Sequence, residues 1–201
     1  MASDMIDLDV LLCWGGTYKH VNKGEVIFHE GTEGRFYYQL VEGRIKWVNV
    51  DDSGKEFVQK FVEEGESFGD LPLLDDGPYV ATAIAEKDSL VIRLPKAMFL
   101  QLLRENHTLH FKFTRLMTER LRQKFTILKD IASQNPERQI FSILHQYKKD
   151  HSNFGNEKLK IELTRQEIAD MTGLRVETVI RAIRHLHDKG TLRIEKGKVY
   201  C

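Results

Sequence analysis

Thr164-Arg-Gln-Glu-Ile-Ala-Asp-Met-Thr-Gly-Leu-Arg-Val-Glu-Thr-Val-Ile-Arg-Ala-Ile-Arg184 is the stretch that decides the reading of this chain. Two short helical patterns flank Gly173. In the first, Ile168, Ala169 and Met171 are apolar. In the second, Val176, Val179, Ala182, Ile183 and Leu186 recur at helical spacing. Gly173 suits the tight bend of a helix-turn-helix. Thr164 suits the N-cap of the first helix, with Glu167 three residues on completing a capping box. Glu177, Arg181, Arg184 and His185 lie away from the apolar stripe of the second helix. A helix that packs on one face and shows Glu and Arg one turn apart on the other suits base edges in a major groove. The competing reading is an ordinary helical hairpin with a solvated charged face.

Outward from this stretch the chain divides by glycine. Ten of its 14 glycines fall by Gly77, and none occurs from Pro78 to Phe154. Short β-type runs lie in the early part: Glu25–Phe28, Phe36–Val41, Arg44–Val50 and Phe57–Val62, then Val80–Ala85 and Ser89–Pro95. This spacing predicts a small antiparallel barrel or sandwich. Asp52-Ser53-Gly54 and Asp75-Asp76-Gly77-Pro78 read as hairpin tips. The glycine-poor region reads as helix over Lys96–Leu103, then as one long helix from His107 to Ser133. Along the long helix Phe113, Met117, Leu121, Leu128 and Ile131 form a seam, interrupted at Lys124, that predicts a coiled-coil dimer interface. Packing on the chain's own barrel is the alternative, and Phe111, Leu116 and Phe125 could serve it. Asn135-Pro136 breaks the helix. A helix over Glu137–Lys149, a polar loop over His151–Glu157 and a winged hairpin around Lys196-Gly197 follow. The expected fold is thus α+β: an antiparallel β-roll over 1–106, a dimerisation helix and hinge over 107–135, and a winged helix-turn-helix over 136–201.

The 201 residues carry 30 Lys+Arg and 30 Asp+Glu, a net charge of zero. The balance is uneven. Residues 137–201 hold 13 basic against 9 acidic side chains, so the rest hold 17 against 21. A basic C-terminal part joined to an acidic N-terminal part fits a DNA reader joined to something else. Cys13 and Cys201 are the two cysteines. An iron–sulfur cluster takes about four thiolates, so this count excludes one within a chain, and a cysteine zinc site is equally disfavoured. Few cysteines, no signal-peptide pattern and no membrane-length apolar run predict a cytoplasmic protein.

A glycine-punctuated β-roll, a long helix, a hinge and a winged helix-turn-helix, in that order, resemble one family: the bacterial regulators typified by the cyclic-AMP receptor protein and the anaerobic regulator FNR. The strongest motif runs from Leu163 to Arg181, and Gly65-Glu-Ser-Phe-Gly-Asp-Leu71 looks like the start of the family's phosphate-binding cassette. The resemblance implies a homodimeric transcription factor on a palindromic operator, with RNA polymerase as a partner if it activates. It carries base contact to Glu177 and Arg181, which match the family's Glu and Arg at a G·C pair. A carboxylate accepts from cytosine N4, and a guanidinium bonds guanine O6 and N7 together. Val176 and Ile180 stand at neighbouring reading positions. Val176 agrees with FNR and departs from the cyclic-AMP receptor pattern, whereas Ile180 departs from FNR. Thr164, Arg165, Gln166, Arg175 and Arg184 are the candidates for phosphate contact.

The sensor cassette departs further. Members that bind a cyclic nucleotide end it with Arg-Ser or Arg-Thr, where this chain has Val80-Ala81. Asp70 replaces a Glu, and Lys124 and Phe125 stand where the dimer helix normally offers small hydroxyl residues. Gly69, Asp70, Leu71, Val80, Ala81, Lys124 and Phe125 therefore outline a degenerate effector pocket. A buried phosphate without its Arg is poorly neutralised. The expectation is an effector other than cyclic AMP, or none; a cyclic-nucleotide-responsive regulator, or a ligand-binding module without operator binding, are the alternatives. A metal-dependent barrel enzyme would need several converging histidines, and His29-Glu30 supplies one. A haem ligand at His107 or His110 has no supporting motif. Gly65–Gly69 lacks the third glycine and following helix of a dinucleotide site. Trp14 and Trp47 read as packing residues. No catalytic residues, metal site or cofactor are expected.

Overall fold

The computed structural model describes residues 5–151 and 159–201, so the polar loop expected after His151 lies outside the described residues. The chain forms two compact units, one ending at Leu116 and the other beginning at Met117. The first holds α1 (Leu8–Cys13), β1 (Thr17–Val21), β2 (Val26–Phe28), β3 (Phe36–Glu42), β4 (Ile45–Val50), β5 (Glu56–Val62), β6 (Ser67–Phe68), α2 (Leu71–Asp75), β7 (Thr82–Ala85), β8 (Ser89–Pro95) and α3 (Lys96–Glu105). It also takes the first part of α4 (His107–Ala132). The second holds the rest of α4, α5 (Pro136–His151), β9 (Lys160–Ile161), α6 (Arg165–Thr172), α7 (Val176–Asp188), β10 (Arg193–Glu195) and β11 (Lys198–Tyr200).

The strands of the first unit make two antiparallel four-stranded sheets, ordered β1-β8-β3-β6 and β2-β7-β4-β5. Their core draws Val21, Tyr38, Leu40, Phe68 and Val91 from one sheet and Phe28, Ile45, Val62, Ala83 and Ala85 from the other. That is the β-roll expected from the glycine spacing, with apolar residues of both sheets sharing one core. β3 is buried on both faces. Tyr38 and Leu40 enter the roll core, while Tyr37 packs with Phe99 of α3, ring centroids 4.7 Å apart. Gln39 on the same strand is fully buried and fully employed. Its Oε1 accepts from Ile6 N at 3.0 Å and Tyr37 OH at 2.8 Å, and its Nε2 donates to Ile6 O at 2.8 Å. A buried amide costs little only when satisfied this way.

Two sequence expectations change here. Asp75-Asp76-Gly77-Pro78 is no hairpin tip but the end of α2, where Asp76 takes a left-handed φ of 58° and Gly77 N donates to Asp75 Oδ1 at 3.0 Å. Phe113, expected on the dimer seam, is 2 % exposed and packs on the roll. Its ring lies 5.3 Å from Phe99 and 6.4 Å from Tyr37, edge-on to both. An aromatic ring that completes one chain's own core is not available to a second chain.

In the second unit Ile140, Ile143 and Leu144 of α5, Ile168 and Ala169 of α6, and Val179, Ala182, Ile183 and Leu186 of α7 are buried. A three-stranded sheet, β10-β11-β9, completes the winged helix-turn-helix.

Candidate nucleic-acid interface and effector cavity

The helix-turn-helix forms as its sequence dictates. Thr164 Oγ1 accepts from Glu167 N at 3.1 Å, and Glu167 Oε2 accepts from Thr164 N at 2.6 Å, so both halves of the capping box are made. Gly173 caps α6 with φ of 71°, the left-handed turn that favours glycine. α7 then buries its apolar stripe and leaves Glu177, Arg181 and Arg184 exposed, with Val176 and Ile180 half-buried beside them. Glu177 and Arg181 lie one turn apart on one face. Among the described residues neither is held in an ion pair, so their polar ends are available to a ligand. Arg175, at the N-cap of α7, is exposed as well.

Thr164, Arg165 and Gln166 sit together at the start of α6. Arg165 is part-buried, and its Nη2 reaches Gly197 O of the wing at 3.5 Å. Burial lowers its pKa, but an arginine remains charged at neutral pH. Gln166 Nε2 donates to Asp170 Oδ1 at 2.8 Å. The wing turns tightly through Lys196 and Gly197, both at positive φ, and shows Lys196 and Lys198 to solvent. These two lysines were missed by the sequence reading; their signal is the basic pair that brackets the turn glycine.

His185 does not face solvent unpaired. Its Nδ1 lies 2.5 Å from Glu137 Oε1, and Lys189 Nζ donates to Glu137 Oε2 at 2.9 Å. Lys189 and His185 together hold the Glu137 carboxyl below the usual glutamate range. Glu137 thus ties the first turn of α5 to the end of α7. At the other side of α5, Ser142 Oγ donates to Asp130 Oδ2 and Gln139 Nε2 donates to Ile131 O at 3.3 Å, joining α5 to the end of α4.

The most exposed apolar residues along α4 are Phe111 at 79 %, Leu121 at 57 %, Phe125 at 64 % and Leu128 at 61 %. With Thr114 and Thr118 they recur at alternating spacings of three and four, the heptad pattern of a two-helix seam. Met117 is half-buried, and Ile131 is 40 % exposed. Of the expected seam, Leu121, Leu128 and Ile131 are therefore exposed and Phe113 is not, while Phe111 and Phe125 are exposed as well. Lys124 is exposed beside them.

In the roll, Gly69, Leu71, Val80 and Ala81 of the expected effector pocket do converge. They line a cavity of about 190 Å³, counted with its open mouth, together with Phe28, Trp47, Pro72 and Tyr79. Asp70 is absent from that lining; it is buried and accepts from Ser67 Oγ at 3.0 Å. Lys124 and Phe125 belong to the second unit. The Phe28 and Tyr79 rings stack 3.7 Å apart at 9°. Gly69 sits against them with φ of 69°, and a Cβ there would fall 2.9 Å from Phe28. Burial pushes the Tyr79 phenol well above its usual range, nearby Tyr38 adds to this, and a hydrogen bond from the Arg35 backbone opposes it. The aromatic wall was missed in the sequence because Phe28, Trp47 and Tyr79 come from separate segments. Among the described residues no cluster of His, Cys, Asp and Glu is placed to hold a metal ion. No helix among them is long and apolar enough to cross a membrane.

Comparison with known proteins assigns both units. Residues 18–106 match the cyclic nucleotide-binding domain, and residues 138–200 match the Crp-like helix-turn-helix domain. The cAMP-activated global transcriptional regulator CRP of Haemophilus influenzae is 25 % identical over 189 residues, covering 92 % of this chain and 84 % of that protein. The structure of FixK2 from Bradyrhizobium japonicum superposes with a TM-score of 0.73 at 21 % identity, over 92 % of this chain and 91 % of that one. A stretch of 118 residues is also 30 % identical to Lysophospholipase NTE1 of Chaetomium globosum, but it spans only 8 % of that protein.

Proposed function

Because this chain belongs to the CRP/FNR family of transcription regulators, we propose that it binds a palindromic DNA operator as a homodimer, reading bases with α7. The observation that carries this reading is the pair Glu177 and Arg181, exposed one turn apart on a helix whose opposite face is buried. Arg181 would bond guanine and Glu177 its paired cytosine, with Val176 and Ile180 against the flanking bases. Thr164, Arg165, Gln166, Arg175 and Arg184 would hold phosphates and so fix the register. The exposed stripe on α4 would pair two chains, placing two copies of α7 about 34 Å apart in successive major grooves. Contacts from Asp130 and Ile131 to α5, and from Glu137 to α7, would carry the direction of α4 to the reader.

The roll is read as the sensor. Its cavity presents Val80 and Ala81 where a phosphate would need a cation, which supports an effector other than cyclic AMP, or none. On this reading the chain works in the cytoplasm, as a regulator rather than an enzyme, with RNA polymerase as a partner if it activates. Selection of binding sites from random duplexes tests the assignment. Arg181→Ala and Glu177→Ala should each relax preference at the same G·C pair, with Arg181→Ala weakening specific binding by about 1–3 kcal/mol. Unchanged base preference in both variants would refute it.

A further inference from the structure

We propose that Tyr79 is a plug built into the roll, taking the place of an effector, so that the chain binds its operator without a small-molecule ligand. This rests on the reading of the chain as a DNA-binding regulator with the roll as its sensor. The first ground is the direction of the side chain. Leu74, Asp75, Asp76, Pro78 and Val80 are exposed, yet Tyr79 among them is only 4 % exposed. A surface segment thus turns one aromatic side chain inward. Its ring stacks on Phe28, and Phe28 lies 5.7 Å from Tyr38 and 6.1 Å from Phe68, ring centre to ring centre. Tyr79 therefore closes the aromatic core of the roll beside Gly69, Val80 and Ala81 of the cassette. The second ground is its anchoring. Gly31 N donates to Tyr79 O at 2.8 Å, and Tyr79 N donates to Thr32 O at 2.9 Å. The phenol oxygen accepts from the Arg35 backbone, the partner a buried tyrosine needs.

The third ground is the space left over. The cavity that remains beside the ring admits about one water molecule. A Cβ on Gly69 would fall 2.9 Å from Phe28 and 3.2 Å from Tyr79, so the rings are closed in from that side too. A free ligand would have to expel the Tyr79 ring, losing the stack and the phenol hydrogen bond. Tyr79 fills the same space without the translational cost a free ligand carries. The fourth ground is what the plugged segment touches. Lys96 Nζ of α3 donates to Pro72 O at 2.9 Å and to Asp76 Oδ1 at 2.7 Å, fastening α2 to α3. Phe99 of α3 in turn packs edge-on against Phe113 of α4. Contacts therefore run from the plugged segment through α2 and α3 to α4 with no ligand needed to complete them.

The test removes the plug and returns it. Tyr79→Ala deletes the ring and leaves its Cβ, so phenol is the missing piece. On a DNA site selected with the unaltered chain, the folded variant should bind at least about tenfold more weakly. Phenol should restore that affinity and raise the variant's melting temperature saturably, and should do neither to the unaltered chain. Tyr79→Phe keeps the ring and should bind DNA like its parent. A folded Tyr79→Ala chain that binds DNA as tightly as its parent would overturn the proposal, because the ring would then serve folding alone. So would a variant indifferent to phenol. A second arm needs no variant. The unaltered chain is unfolded in guanidinium, dialysed free of small molecules and refolded. The refolded fraction should bind the site as tightly as chain never unfolded, with no gain from cyclic AMP or from the small-molecule fraction of a cell extract. Lost affinity that the extract restores would overturn the proposal. Failure of the chain never unfolded to select any DNA site would instead refute the regulator reading, and the melting response of Tyr79→Ala to phenol would still decide whether the ring fills a ligand-sized space.

Discussion

Leu121→Ala and Phe113→Ala should have opposite signatures, although both residues stand on one helix and fit one seam in the sequence. Leu121 is 57 % exposed. Burying a leucine side chain completely is worth about 1.5–3 kcal/mol, so covering what Leu121 leaves exposed is worth roughly 1–2 kcal/mol per chain. Two-fold symmetry counts it twice, about 2–4 kcal/mol, so truncation should weaken the dimer roughly 30- to 700-fold. The isolated chain should keep its melting temperature, because Leu121 fills no void within it. Phe113 is 2 % exposed between Tyr37 and Phe99, and its truncation leaves a cavity costing about 3–5 kcal/mol of folding stability. The folded fraction of Phe113→Ala should dimerise with nearly unchanged affinity. Sedimentation equilibrium gives the dimer constants, and thermal melts at concentrations below dissociation give the stabilities. A Phe113→Ala chain that becomes monomeric while melting normally, or a Leu121→Ala chain as dimeric as its parent, would refute the assignment of the seam.

Further outcomes follow from single contacts. Lys196→Gln and Lys198→Gln should each lower the salt dependence of DNA binding by about one unit of slope without changing base preference, measured by anisotropy across ionic strength. An altered base preference would place the wing against bases instead. Thr164→Ala removes one half of the capping box and should cost about 1 kcal/mol, which Thr164→Ser should restore; equal melting of all three chains would show the cap to be irrelevant. Gly69→Ala forces a side chain into a left-handed φ and against Phe28, so the roll should lose at least about 1–2 kcal/mol; a calorimetric scan that matches the parent would contradict the packing. The Glu137 carboxyl titrates lower when folded, because Lys189 and His185 hold its charged form. Its stabilising effect is therefore complete above the usual glutamate range and fades as pH falls through the folded value. Glu137→Gln should flatten that part of the acid melting profile, and an unchanged profile would count against the bridge.

The helix-turn-helix was legible because each of its signals is local. Thr164 and Glu167 cap each other across three residues, Gly173 supplies one left-handed turn, and the stripe of Val179, Ala182, Ile183 and Leu186 faces inward as its period requires. The strands of the roll were legible for the same reason, yet β1 and the two-residue β6 were not. Thr17–Val21 alternates weakly, and its place is set by pairing with β8 far along the chain. The place of Phe113 on α4 was missed for a different reason. Periodicity says which residues share a face, not which faces find a partner inside the chain. Phe113 and Phe111 are two residues apart on the helix and equally apolar, but Tyr37 and Phe99 give the first a home and leave the second in solvent. The cavity shows the same limit. Val80-Ala81 stands where the family resemblance implies a cation, and that is a local signal. What fills the space instead, Tyr79 stacked on Phe28 with Trp47 beside them, is assembled from three segments that only the folded sheet brings together. A missing residue can be read from sequence, whereas the surface that replaces it is a property of the fold.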